Sequence, residues 1–211
     1  MMAKRIFDLI FTIPGVLALL PIFFAISIWV KLDSHGPVFF RQIRVGQFGR
    51  EFRIYKFRTM IVDAERYGKQ ITVGQDKRIT RSGQFLRKYK LDELPQLFNV
   101  VLGDMSLVGP RPEVPRYIAE YPEDIRRITL SVKPGITDLA SITFKDENEI
   151  LGNSDCPEQT YIREILPIKQ GFYVRYVGSR SVWLDTEIIV RTLFAIIWPN
   201  KEQTRKQKVS S

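Results

Sequence analysis

Two adjacent carboxylates, Asp92 and Glu93, lie in the stretch RKYKLDELPQLFNVVLGDMSLVGPRP, residues 87–112. Arg87, Lys88 and Lys90 precede them. Pro95 fits a helix only in its first turn, and Leu94, Leu97, Phe98 and Val101 recur at helical spacing, so a helix is expected to begin near Asp92. The free N–H groups and the dipole at that end favour ionised carboxylates by roughly 0.3–1 kcal/mol when exposed. The upstream cations act in the same direction. An ionised carboxylate beside cationic side chains is a competent nucleophile toward an electrophilic phosphorus. A neighbouring acid can hold Mg²⁺, which offsets phosphate charge and helps a leaving group. Asp92 and Glu93 are therefore candidate catalytic residues and candidate Mg²⁺ ligands. The plainer alternative is an N-cap followed by a first-turn acid.

Three further cations belong to this chemistry. In Gly109-Pro110-Arg111-Pro112 two prolines stiffen the backbone around one arginine, and a guanidinium on a rigid turn suits bidentate phosphate binding. The alternative is a simple turn whose arginine pairs with an acid such as Glu113. In YKFRTM, Lys56 and Arg58 are candidates to face a phosphate. Around them, residues 38–45 and 50–57 mix aromatic, β-branched and basic residues, with Gly46 and Gly49 between, and read as a hairpin.

The elements that must position these groups start with a membrane segment. Leu9 to Val30 is 22 residues without a charge, long enough to cross a bilayer as a helix. It does not read as a secretory signal, because the charge-free run is too long and no cleavage site follows. Pro21 removes a hydrogen bond to Leu17, so a bend is expected there. Lys4 and Arg5 precede the segment, and Lys31, Arg41 and Arg44 follow it. Both ends thus read as cytoplasmic, which a helix that breaks near Pro21 and leaves by the same face satisfies and one straight span does not. A single-span anchor with a tolerated kink is the alternative.

The chain has 211 residues, one Cys, one His and a net charge of +9. This is one sizeable domain with an appendage. The lone Cys156 excludes a disulfide scaffold, and with His35 it leaves no zinc set, so any metal is a hard one held by oxygen. From Gly36 to Val101 there are 14 Lys/Arg against 6 Asp/Glu. This excess is best read as attraction to an anionic phospholipid surface, with a few residues also meeting phosphate. No nucleic-acid motif is present, and nucleic acid is not expected as a partner. Residues 82–90 read as a short basic helix capped by Ser82, and residues 113–131 as helix interrupted by Pro115 and Pro122. Residues 144–160 read as an acidic, turn-rich loop and residues 181–198 as a helix opened by Ser181 or Asp185. The apolar end of that last helix permits a homo-oligomer. The fold expected is α/β, mainly helical, with a small β-hairpin or sheet. It divides into a re-entrant membrane helix (1–33), a membrane-associated catalytic body (34–200) and a basic disordered tail (201–211).

The stretch LDELPQLFNVVLGDMSLVGPRPE, with YKFRTM before it and VKPGIT after it, resembles the bacterial sugar transferases, the monotopic phosphoglycosyl transferases. The resemblance runs from about Lys4 to Trp198 and looks like the minimal, catalytic-domain type. It implies a re-entrant helix broken at Pro21 that anchors the enzyme monotopically on the cytoplasmic face of the bacterial inner membrane. It implies transfer of a sugar-1-phosphate from a UDP-sugar to polyprenyl phosphate, with Mg²⁺ and release of UMP, at the first membrane step of a surface glycan. It also implies Asp92 as nucleophile, Glu93 as its partner near Mg²⁺, and Arg87 and Arg111 at the phosphate site. After Pro134-Gly135-Ile136-Thr137 the chain reads Asp138-Leu139-Ala140-Ser141-Ile142, which departs from the Gly-Leu-Ala-Gln of many relatives. A membrane-tethered nucleotide-sugar phosphohydrolase and a non-enzymatic adaptor on anionic lipid are the rival functions.

Overall fold

The computed structural model describes residues 2–64, 76–143 and 147–197. Helix α1 spans Met2–Asp33, with Pro14 and Pro21 inside it. The bend expected at Pro21 does not interrupt the helix. Each proline removes a single N–H, both lie on the exposed side, and the turns around them continue. Asp8 and Thr12 near its start and Phe23, Ile26 and Val30 in its far half are buried, so α1 packs on the body toward both ends, with no buried residue between Thr12 and Phe23. Ile10, Phe11, Leu17, Leu20 and Phe24 remain exposed, and the helix is long and apolar enough to cross a membrane.

Polar contacts fix both ends of α1 to that body. Near its start, Arg5 donates to the carbonyl oxygens of Val100 at 2.5 Å and Val101 at 2.9 Å. The buried Asp8 carboxylate accepts from Ser106 Oγ at 3.0 Å and from the Leu107 amide at 3.2 Å. Lys4 pairs with Asp185 at 2.6 Å. At its far end, Asp33 accepts from the amide and hydroxyl of Ser82.

Strands β1 (Phe39–Val45) and β2 (Glu51–Phe57) form the expected antiparallel hairpin. Helix α2 (Arg81–Lys88) is capped by Thr80, whose hydroxyl accepts from the Gly83 amide, and not by Ser82. Ser82 is buried against Asp33 instead. A one-turn 3₁₀ helix, Leu91–Glu93, precedes helix α3 (Gln96–Leu102), which stops at Gly103 with φ 94°. The carboxylates therefore sit in their own turn just ahead of the helix, with Pro95 at its cap.

Strands β3 (Ser106–Val108) and β4 (Gly135–Thr137) pair in parallel, which the sequence reading did not foresee. Runs this short carry no readable alternation. Pro115 and Pro122 open two separate helices, α4 (Pro115–Ala119) and α5 (Glu123–Thr129), where one interrupted helix was expected. After a short helix α6 (Leu139–Thr143), the region 144–160 read as a loop contains short helices α7 (Glu147–Gly152) and α8 (Pro157–Thr160). A π turn, Tyr161–Ile165, leads into α9 (Leu166–Ser179). Helix α10 (Val182–Ile197) is opened by Ser181, whose hydroxyl accepts from the Leu184 amide. The expected tail, 201–211, lies outside the described residues.

Gly135 and Gly109 meet back to back. A Cβ on Gly135 would come 2.0 Å from the Gly109 nitrogen, which no side-chain motion can relieve. Gly135→Ala is therefore expected to destabilise the protein by roughly 3 kcal/mol. Gly171, inside α9 with open space where a Cβ would be, should gain about 0.5–1 kcal/mol as alanine. Thermal midpoints of the two variants in one detergent should move in opposite directions.

Candidate active site

Three segments converge on the two carboxylates. Lys56 comes from β2, whose backbone is held by the buried Asn99 of α3. Asn99 Oδ1 accepts from the Tyr55 amide, and its Nδ2 donates to the Arg53 carbonyl, both at 2.9 Å. Arg111 comes from the Gly109–Pro112 turn, which is pinned to β4 by Gly109 N–H to Thr137 O (3.1 Å) and Gly135 N–H to Pro110 O (3.0 Å). Arg87 comes from the last turn of α2, where Nε donates to Thr59 Oγ1 at 2.9 Å.

Glu93 is enclosed by cations. Lys56 Nζ donates to Oε1 at 2.7 Å. Arg111 reaches both oxygens, Nη2 to Oε1 and Nη1 to Oε2, the latter at 3.3 Å. Burial pushes the Glu93 carboxyl up, but Arg111 and Lys56 together outweigh it and hold the group well below the usual carboxylate range. Burial in turn pushes the Lys56 ammonium down, opposed by the Glu93 charge.

Asp92 differs in kind. Only 8% of it is exposed, yet among the described residues its carboxylate makes no hydrogen bond. Its pKa is raised, first by burial and also by the Glu93 charge, against the pull of Lys56, Arg87 and Lys90. This corrects the expectation that the helix end and the cations would make ionisation easier: desolvation is the larger effect. A desolvated carboxylate held by no donor is a stronger nucleophile than a capped one.

The sequence-predicted residues thus divide. Asp92, Glu93, Lys56, Arg111 and Arg87 come together. Arg111 pairs with Glu93, not with Glu113. Arg58 does not join them, because its guanidinium donates to the carbonyls of Val30, Ser34, His35 and Pro37 and to Ser34 Oγ, closing the C-terminal end of α1. Arg44 and Glu113 were not foreseen as part of the site. Arg44 donates to the Pro112 carbonyl at 2.9 Å, and Glu113 accepts from Tyr161 at 2.6 Å, so both brace the turn that carries Arg111. Neither has a local sequence signal. Asn99 does, as the one amide inside the apolar run LFNVV.

Whether these residues suit Mg²⁺ follows from the donor set. Glu93 has both oxygens engaged by Lys56 and Arg111, and no group of three or more potential metal-binding side chains exists among the described residues. Asp92 has hard oxygens without a partner. The arrangement suits an ion shared between one carboxylate and the oxygens of a bound diphosphate, which is how Mg²⁺ usually binds. It does not suit a closed protein cage.

The two acids should respond oppositely to neutralisation. Glu93→Gln leaves two cations facing a neutral amide and is expected to cost on the order of 3 kcal/mol. Because the folded state depresses the Glu93 pKa, its contribution is present above the unfolded value and is lost as pH falls through the depressed one. The raised pKa of Asp92 means that its ionised form opposes folding at neutral pH, so Asp92→Asn should leave the thermal midpoint unchanged or raise it. Thermal unfolding of both variants at neutral and acidic pH checks the pair.

Comparison with known proteins places this geometry. The sequence profile described as bacterial sugar transferase matches residues 1–199. The chain is 38% identical over 199 residues to UDP-N-acetylgalactosamine-undecaprenyl-phosphate N-acetylgalactosaminephosphotransferase of Aeromonas hydrophila, covering 92% of this chain and 43% of that protein. It is 40% identical over 200 residues to UDP-glucose:undecaprenyl-phosphate glucose-1-phosphate transferase of Xanthomonas campestris pv. campestris, covering 92% and 39%. It is 37% identical over 198 residues to the exopolysaccharide production protein PSS of Rhizobium leguminosarum bv. phaseoli, covering 90% and 92%. It spans about two-fifths of the length of the first two relatives and nearly all of the third. Matched by that profile over residues 1–199 of 211, the chain belongs to the bacterial sugar transferase family.

Proposed function

We propose that the protein transfers a sugar-1-phosphate from a UDP-sugar to polyprenyl phosphate through a covalent intermediate on Asp92. The observation that carries this reading is the contrast between the two carboxylates: Glu93 is committed to Lys56 and Arg111, and Asp92 is buried without a hydrogen bond among the described residues. Relatives named for transfer from UDP-sugars to undecaprenyl phosphate support the substrate classes.

In the first step an Asp92 oxygen attacks the phosphorus that carries the sugar. The bond from that phosphorus to the bridging oxygen breaks, and UMP leaves with the bond's electron pair. In the second step a phosphate oxygen of the lipid attacks the same phosphorus. The acyl-phosphate bond breaks, the Asp92 carboxylate is regenerated and polyprenyl-diphospho-sugar departs. Lys56 and Arg111 against one Glu93 leave net positive charge beside the reacting diphosphate, and the terminal nitrogens of Arg87, which make no hydrogen bond among the described residues, are available to a phosphate oxygen. When bound, Mg²⁺ would neutralise charge on the diphosphate and the leaving UMP, with Asp92 able to share it.

The contacts of α1 support a location. Lys4 and Arg5 at one end and Asp33 at the other touch the same body, so a helix crossing the bilayer would have to place one of these contacts on the wrong side. We place both ends on the cytoplasmic face, with the exposed apolar side of α1 in the inner leaflet. Ala3→Cys and His35→Cys, each in a Cys156→Ser background, should both resist an impermeant thiol reagent added outside intact cells. Labelling at position 3 alone would establish a spanning helix.

The activity is tested with a panel of radiolabelled UDP-sugars and undecaprenyl phosphate, with and without EDTA. Lipid-linked product is expected from at least one sugar, abolished by EDTA and reduced about a hundredfold or more by Asp92→Asn. Because the Asp92 pKa is raised, the acid limb of kcat/KM should lie above the ordinary aspartate value. Release of free sugar phosphate without lipid would support a phosphohydrolase instead.

A further inference from the structure

An aromatic ladder leads from the membrane helix toward the site. Trp29, on the far half of α1, lies with its ring centroid 5.2 Å from that of Phe85 in α2. Phe85 in turn lies 4.6 Å from Tyr89, just past the end of α2. All three remain substantially exposed, at 41%, 44% and 45%. Such rings ordinarily hide from water when a core is within reach, and here none covers them. Lys88 lies over the Tyr89 ring at 5.5 Å. The next residue, Lys90, holds a left-handed backbone with φ 57°, a costly conformation for a residue with a side chain. It immediately precedes the 3₁₀ turn that carries Asp92, and its charge acts on that carboxylate.

The ladder is continuous at Trp29 with the exposed apolar side of α1, and at Tyr89 it ends under Lys88 and one residue before Lys90, whose charge acts on Asp92. This polarity, apolar at one end and cationic at the other, fits one kind of molecule: a long unsaturated hydrocarbon chain ending in a phosphate. Isoprene units present methyl groups and double bonds that pack well on ring faces, and an ammonium held in a fixed backbone receives the phosphate as a point charge. We infer that Trp29, Phe85 and Tyr89 form the track on which the polyprenyl chain of the acceptor lies, and that Lys90 receives its phosphate for attack on the phosphorus that Asp92 carries. This rests on the transferase reading above. It adds where the acceptor binds and predicts that a long prenyl chain is preferred to a short one.

The two steps allow the acceptor to be tested apart from the donor. Phe85→Ala/Tyr89→Ala changes two exposed rings. With UDP-sugar alone, UMP release should match the parent protein. With undecaprenyl phosphate, acceptor KM should rise at least tenfold, tenfold being about 1.4 kcal/mol. With a short-chain prenyl phosphate the two proteins should differ little, so the chain-length preference collapses. Lys90→Gly, which relieves the backbone strain while removing the ammonium, should raise KM for both acceptors. Unchanged acceptor KM in the double variant would overturn the track. So would a double variant that leaves phosphatidylglycerol-containing vesicles but regains parental acceptor kinetics in detergent, since the rings would then hold bulk lipid. If the parent protein releases no UMP from any UDP-sugar, the transferase reading itself fails, and that outcome is distinct from the other two.

Discussion

The charge pairing at Glu93 is the constraint on which the site depends. Lys56 comes from a hairpin and Arg111 from a proline-stiffened turn, and they meet on one carboxylate that neither could hold alone. Two cations on one acid neutralise Glu93 and leave positive potential beside it. The adjacent acid has no hydrogen-bond donor among the described residues and is almost wholly buried. Burial alone would make Asp92 an ordinary protonated group, and the surrounding cations offset part of that cost. What results is a poorly solvated carboxylate whose pKa burial raises and the neighbouring cations pull back, a combination that favours attack on phosphorus once the group is ionised.

Much of the remaining fold holds those two cations in place. Asn99 supplies the hydrogen bonds that a third strand would otherwise give to the edge of β2, and so fixes Lys56. Gly109 and Gly135 let two backbones touch, which brings the Arg111 turn onto β4. Arg44 and the Glu113–Tyr161 pair brace the same turn from the other side. The membrane helix belongs to this framework as well. Asp8 and Arg5 satisfy backbone groups of β3 and α3, and Arg58 closes the opposite end of α1. The apolar helix and the catalytic body are therefore built as one unit, with the exposed side of the helix adjoining the aromatic surface of α2.

The sequence made the chemistry more legible than the architecture. Asp92, Glu93, Arg87 and Arg111 are marked by their charge beside Pro95 and the Gly109–Pro112 turn, although caps and plain turns use the same residues, and the hairpin follows from its glycines and β-branched residues. Arg58 was misplaced because the spacing from Lys56 puts both on one face only while a strand continues, and β2 ends at Phe57, so Arg58 turns to the carbonyls at the end of α1. The parallel β3–β4 pair was invisible because each strand has three residues and the pairing is long-range. The cap on α2 was misassigned between two hydroxyls, Thr80 and Ser82, that differ only in which helix end each one meets. The direction of the Asp92 shift could not be read either, since burial is a property of the assembled site and not of the local charge pattern.

The most direct test of the central claim is the intact mass of the protein mixed with its UDP-sugar in the absence of any lipid acceptor. The account predicts a burst of UMP stoichiometric with enzyme, and one added sugar-phosphate that maps to Asp92 and disappears when polyprenyl phosphate is supplied. UMP release with no adduct, or an adduct on another side chain, would contradict it.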